Sequence, residues 1–196
     1  AGADKVTINT AAYNDPALIR QAADEFGSQS VVVSIDAAKR DGLYKVVTDC
    51  GSNLTTMDVV EWAKQCELQG AGELVINNIE FDGIAGGIDN ELLKEVVKSV
   101  SLPVVAVGGV GSPDDIVACF NKTGVDAVGV ANYFHFKELS YPLTKKKLFA
   151  HSIQTRQPRV GNSWFSREPY YDDAEKRHRL ACRLFYARQR KNYDRN

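Results

Sequence analysis

Residues 104–116 read VVAVGGVGSPDDI. The first four are apolar and mostly β-branched, as suits a parallel strand buried on both faces. Gly108, Gly109 and Gly111 follow, then Ser112, Pro113 and Asp115. Serine is a good N-cap and proline suits the first helical position. An acid three residues after the cap sits where a capping box needs one, although glutamate is the usual choice. The stretch therefore predicts strand, glycine turn, helix. Glycines let a ligand approach the backbone closely, and the N–H groups of a helix start favour an anion, with phosphate the leading candidate. A plain strand-to-helix turn that uses glycine only for its backbone angles fits the same residues equally well.

Asp36 is a second candidate. It ends VVVSID, and a carboxyl at the C-terminal end of a parallel strand, shielded by a loop, is suited to moving protons. Capping the segment that follows is the plainer role for it. A third pair lies at strand starts. Lys5, Thr7 and Asn9 share one face of their strand, and Glu73, Val75 and Asn77 share one face of theirs. Lys5 and Glu73 would then face a barrel interior, where charges are costly unless paired.

The elements that must position these residues repeat one theme. Strands are expected at Lys5–Asn9, Ser30–Asp36, Glu73–Ile79, Val104–Val107 and Ala127–Ala131. Helical patterns lie between them: ALIRQAADEF after Asn14-Asp15-Pro16, MDVVEWAKQCELQG ended by Gly70, ELLKEVVKSV capped by Asp89 or Asn90, and PDDIVACFNKTG capped by Ser112. Alternating strands and helices predict a parallel α/β sheet with right-handed crossovers. KRDGLYKVVTDCGSN is long for a strand-to-helix loop, and its LYKVVT predicts a small β ribbon over the sheet. GADKV and GVDAV, each opening a strand that ends on asparagine (Asn9, Asn132), form a faint internal echo.

The 196 residues suffice for one good-sized core. Net charge is −1, but residues 1–150 carry 13 basic against 20 acidic residues, and residues 151–196 carry 11 against 5. The two parts differ in character. No apolar run is long enough to cross a bilayer, and AGADKVTINT does not read as a signal peptide. Cys50, Cys66, Cys119 and Cys182 lie far apart and the three histidines lack metal-ligand spacing, so a reduced, cytoplasmic protein without metal or cofactor is expected.

GADKVTINTAA, EFGSQSVVVSIDAAKR, GAGELVINNIEFDG, VVAVGGVGS and AVGVANYFHF, in this order, resemble the cyclase subunit of imidazole glycerol phosphate synthase over about Ala1–Leu148. The resemblance implies strands four to eight of that family's (β/α)8 TIM barrel. Residues 1–148 are then a partial barrel of about five βα units, and residues 149–196 a basic tail unlike the family. Strands one to three are absent, so the chain is expected to be a fragment or to borrow strands from another chain. The family takes ammonia from a glutaminase partner and cleaves and cyclises a substrate with a phosphate at each end. Its chemistry rests on two aspartates, of which Asp36 matches the strand-five residue. The other has no counterpart here. Asn9, Cys50 and Asn77 match substrate-lining positions. Asp82, Gly83, Gly108, Gly109, Ala131 and Asn132 match one phosphate site, and Thr10, with Asn9, part of the other. Lys5 and Glu73 match two of four charged residues that gate ammonia, and Asp4 a position where the glutaminase docks.

This sequence departs from the family where Cys50, Val107 and Asn132 replace serines, and where NNIEFDGI stands for the usual TSIDRDGT. Those changes, with ANYFHFKELSYPL, are similar to a paralogous branch that helps an amidotransferase install an acetamidino group on a surface sugar. Two further classes stay open: an inactive half-barrel that self-associates through open sheet edges, and a nucleic-acid binder acting through the tail, which the acidic first part argues against. In that tail, DDAEKRHRLACRLFYARQRKNY is expected to form one helix with Leu180, Leu184 and Phe185 on one side. Packing of the tail on the open sheet edge, or sequence out of place in the gene, are the other readings of it.

Overall fold

The computed structural model describes residues 2–136, 140–155 and, for backbone alone, 185–188. Strands β1 (Val6–Ile8) and β2 (Val31–Arg40) pair in parallel, and between them run α1 (Thr10–Asn14), α2 (Ala17–Phe26) and a 3-10 turn, Ser28–Ser30. Strands β3 (Leu43–Thr48) and β4 (Asn53–Asp58) form an antiparallel ribbon continuing from β2, and α3 (Val59–Leu68) leads to β5 (Glu73–Asn78). Next come α4 (Asn90–Ser99), β6 (Val104–Val107), α5 (Pro113–Thr123), β7 (Ala127–Val130), α6 (Asn132–Phe136), α7 (Ser140–Ala150) and β8 (Phe185–Arg188).

The strands β1, β2, β5, β6 and β7 lie side by side in that order, all parallel, with helices returning the chain between them. This is a partial (β/α)8 barrel, as expected. Alternation along β5 shows its two faces: Leu74, Ile76 and Asn78 are buried against the helices, while Glu73, Val75 and Asn77 are half-buried on the other face. The helical layer includes Ile19, Trp62, Leu92, Val96, Ile116 and Phe120, which share one apolar core with the strands. Each such side chain taken fully from water contributes roughly 1.5–3 kcal/mol.

Local sequence explains the boundaries. Asp58 caps α3 by accepting from the N–H groups of Val60 and Glu61, and Asp89 caps α4 by accepting from Glu91 and Leu92. Ser112 and Asp115 form the expected capping box at α5, with Pro113 at its first position, and Gly124 closes that helix in the left-handed region at φ 79°. The ribbon turns first at Asp41-Gly42, both at positive φ (51° and 81°), the two-residue hairpin chemistry of Asp-Gly.

Three expectations change. Strand β2 does not end at Asp36 but runs to Arg40, because its last five residues pair with β3. Met57 and Asp58 belong to β4 and not to the helix that follows. In the tail, the single helix expected over residues 172–193 is interrupted: Phe185–Arg188 is a strand, antiparallel to β7 with Phe185 opposite Val130. Pairing with the sheet edge satisfies backbone groups that a helix would have satisfied internally. The remaining residues of that stretch lie outside those described.

Candidate active site

The C-terminal ends of the parallel strands bring Asn9, Asp36 and Asn77 together. Asp36 and Asn77 are direct register partners on β2 and β5, and Asn9 follows β1 one strand away. Asp36 and Asn77, as register partners, present the same face of the sheet, and Asn9, the N-cap of α1 just past β1, reaches the same carboxylate. Asn9 Nδ2 donates to Asp36 Oδ2 at 2.8 Å, and Asn77 Nδ2 donates to Asp36 Oδ1 at 3.3 Å. Each carboxylate oxygen thus accepts one amide N–H and keeps lone-pair capacity for another donor. This is an oriented carboxylate in a partly open mouth, not a helix cap. Asn77 Oδ1 is buried without a partner.

The ribbon closes one side of the mouth. The N–H of Asp49 donates to Thr10 Oγ1 at 3.0 Å, across 39 residues of chain. Cys50 lies on that same turn, exposed and at φ 55°, outside the Asp36 cluster. A Cβ on Gly51 would sit 3.3 Å from Cδ1 of Ile79, so the turn rests over the end of β5.

The glycine junction is more crowded than a free anion cradle. A Cβ on Gly109 would meet the carbonyl oxygen of Gly87 at 2.0 Å, and one on Gly111 would meet that of Ala85 at 2.1 Å. The loop after β5 packs backbone to backbone on the loop after β6, which alone requires glycine at both positions. At the helix start, the N–H groups of Gly111 and Ser112 both donate to Asp115 Oδ2, at 3.0 and 2.8 Å. These donors were expected to face an anion; the capping acid takes them instead. The remaining candidates do converge. Asp82 Cβ lies 3.6 Å from where a Gly108 Cβ would be, and Asn132 Nδ2 lies 3.9 Å from that of Gly83. Ala131 and Asn132, both exposed, open α6 beside them.

At the opposite mouth, Lys5 Nζ reaches Glu73 Oε2 at 2.6 Å, spanning β2. Lys5 is 47% exposed and Glu73 19%, so the pair is partly solvated. Asp4 is exposed beside it. Sequence reasoning missed a cluster behind the mouth: Tyr44, Asn78 and Asp89. Asp89 was legible as a cap. Its bond to Tyr44, 45 residues away, was not.

The model of a family described as histidine biosynthesis protein matches residues 1–140. The chain belongs to that family. Among curated relatives, it is 43% identical over 156 residues to a protein of Dehalococcoides mccartyi named imidazole glycerol phosphate synthase subunit HisF, covering 80% of this chain and 62% of the relative. Proteins of the same name match from Bacillus cereus, 44% identical over 157 residues with 80% and 62% coverage, and from Lactococcus lactis, 45% identical over 157 residues with 79% and 61% coverage. The chain thus spans about three-fifths of the length of these relatives. As a member of the histidine biosynthesis family, it presents the mouth just described at the end of the barrel where βα loops build active sites. Among the described residues, no helix is long and apolar enough to cross a membrane, and no group of His, Cys, Asp and Glu could hold a metal ion.

Proposed function

We propose that this chain carries the ammonia-dependent cyclase chemistry implied by its resemblance to imidazole glycerol phosphate synthase, the name its relatives bear, as a cytoplasmic lyase subunit acting on a phosphorylated substrate. The observation that carries the reading is the carboxylate of Asp36 held on both oxygens by Asn9 and Asn77. A carboxylate so oriented is preorganised to take and return a proton during ring closure without first reorienting. Asp36 is the acid/base; Asn9, Asn77 and Cys50 line the substrate. Gly108 and Gly109, with Asp82, Gly83, Ala131 and Asn132, receive one phosphate, and Thr10 helps receive the other. Ammonia arrives from the opposite mouth. Asp4 meets a glutaminase, and the Lys5–Glu73 pair gates the passage.

The test uses this chain joined to the first three βα units of a relative. Supplied with ammonium salt and the phosphoribulosyl formimino precursor of histidine synthesis, it should form imidazole glycerol phosphate, and Asp36→Asn should abolish this. Near-wild-type turnover by Asp36→Asn removes the acid/base role. A folded, phosphate-binding protein without turnover removes the synthase reading and returns the acetamidino-sugar branch, which no distance in the mouth favours at present.

A further inference from the structure

We propose that Tyr44 latches the β3–β4 ribbon to the start of α4, making the ribbon a fixed wall of the mouth and not a lid that swings over it. The inference deepens the reading of this mouth as the active site, and so rests on it for its functional meaning. A two-stranded ribbon is marginal by itself, so its position is decided by what holds it. The ribbon grows from the last residues of β2, and it is anchored on both sides of the mouth.

On one side, Tyr44 projects from β3 and is only 6% exposed. Its hydroxyl lies 3.1 Å from Asp89 Oδ1 and 3.1 Å from Glu91 Oε2. Asp89 is itself immobilised. Its Oδ1 also accepts the N–H groups of Glu91 and Leu92, and its Oδ2 accepts Asn78 Nδ2 at 2.7 Å, from a side chain 4% exposed at the end of β5. Lys39, on β2, completes the group: its Nζ is 2.7 Å from Glu91 Oε2 and 4.8 Å from the centre of the Tyr44 ring. Burial and the two carboxylates hold the phenol protonated well above its ordinary range, so it remains a donor to charged acceptors, the stronger kind of hydrogen bond. On the other side, the Asp49 N–H bond to Thr10 Oγ1 ties the far turn to α1. The consecutive residues Asn77 and Asn78 therefore serve both faces of β5. One orients Asp36 inside the mouth, and the other orients the acid that receives the latch outside it.

The consequence is a preformed site. A ligand entering the mouth meets Asp36, Thr10 and the turn at Asp49–Ser52 already in place, with no ordering of the ribbon required on binding.

Backbone hydrogen exchange on the full chain tests this. Tyr44→Phe removes the hydroxyl and keeps the ring. Amides of residues 43–53, that of Asp49 included, should exchange at least tenfold faster. Those of β6 and α5 should stay unchanged. Alkylation of Cys50 should change in rate, and Cys66 and Cys119 should stay unreactive. Unchanged exchange in the ribbon overturns the latch. So does an equal rise throughout the fold, which would mean general loss of stability. Inorganic phosphate, added to both proteins, separates this from the function proposed above. Absent protection at residues 108–115 counts against that function and leaves the latch standing; a ribbon ordered only when phosphate is present overturns the fixed wall.

Discussion

Asp36 accepts an amide N–H on each of its oxygens, which makes the consequence of amidation asymmetric. An asparagine there would turn one NH2 group toward another NH2 donor, so Asp36→Asn loses both the proton carrier and one orienting bond. In the completed barrel, Asn77→Ala is expected to lower kcat about tenfold or more with the fold intact, by steady-state kinetics and circular dichroism, because it releases one side of the carboxylate. The glycines separate in the same way. Gly42 and Gly109 share a positive φ (81° and 80°), yet a Cβ on Gly42 meets nothing and one on Gly109 meets a carbonyl oxygen at 2.0 Å. Gly42→Ala should cost about 1 kcal/mol by urea unfolding, the strain of the left-handed conformation alone. Gly109→Ala should cost more, about 3 kcal/mol or above, since two backbones must move apart.

At the scale of elements, the end of β2 and the ribbon that grows from it are joined to the loop after β5 and to the start of α4 by charged groups that titrate. Glu80 accepts the Lys39 N–H and pairs with Arg40, which lowers its pKa. Hydrogen bonds from Lys39 and Tyr44 lower that of Glu91. A carboxyl with a depressed folded pKa stabilises the fold above its ordinary value, here 4.5, and loses that contribution as pH falls through the lowered value. Exchange of the ribbon amides, corrected for intrinsic rates, is therefore expected to rise below about pH 4.5. Both glutamates are largely solvent-facing, so the effect should weaken in high salt. Asp89→Ala removes two N-cap bonds together with the latch acceptor and should destabilise by about 1–2 kcal/mol in thermal unfolding.

At the scale of the whole molecule, the sheet buries one face under helices and leaves the other, with Glu73, Val75 and Asn77, half-open. The edge of β7 carries β8, which blocks strand addition there. Among the described residues, β1 pairs on one side alone, with β2. Pairing of two chains through that edge is the alternative this geometry makes testable: light scattering after size exclusion would then give a mass above 21.6 kDa that rises with concentration. A constant mass of one chain would count against edge pairing. Thiol chemistry offers an independent check of the core. Burial pushes Cys66 and Cys119 up to about 12, so both should resist alkylation at neutral pH in the folded protein, while exposed Cys50 reacts.

The sequence by itself determined the succession of elements: apolar runs of the right period, bounded by Gly70, Asp89 and Ser112, are local signals, and caps form within a few residues of chain. It also carried the family, through five motifs in order, and with the family the expectation that Asp36 matters. Tertiary structure alone decided what Asp36 touches, because Asn9 and Asn77 reach it from 27 and 41 residues away. It decided that Gly109 and Gly111 serve loop packing, since the opposing carbonyls belong to Ala85 and Gly87. It carried β2 past Asp36 to Arg40 and made residues 185–188 a strand, because extended segments are stabilised by partners across the sheet and not by their neighbours in the chain.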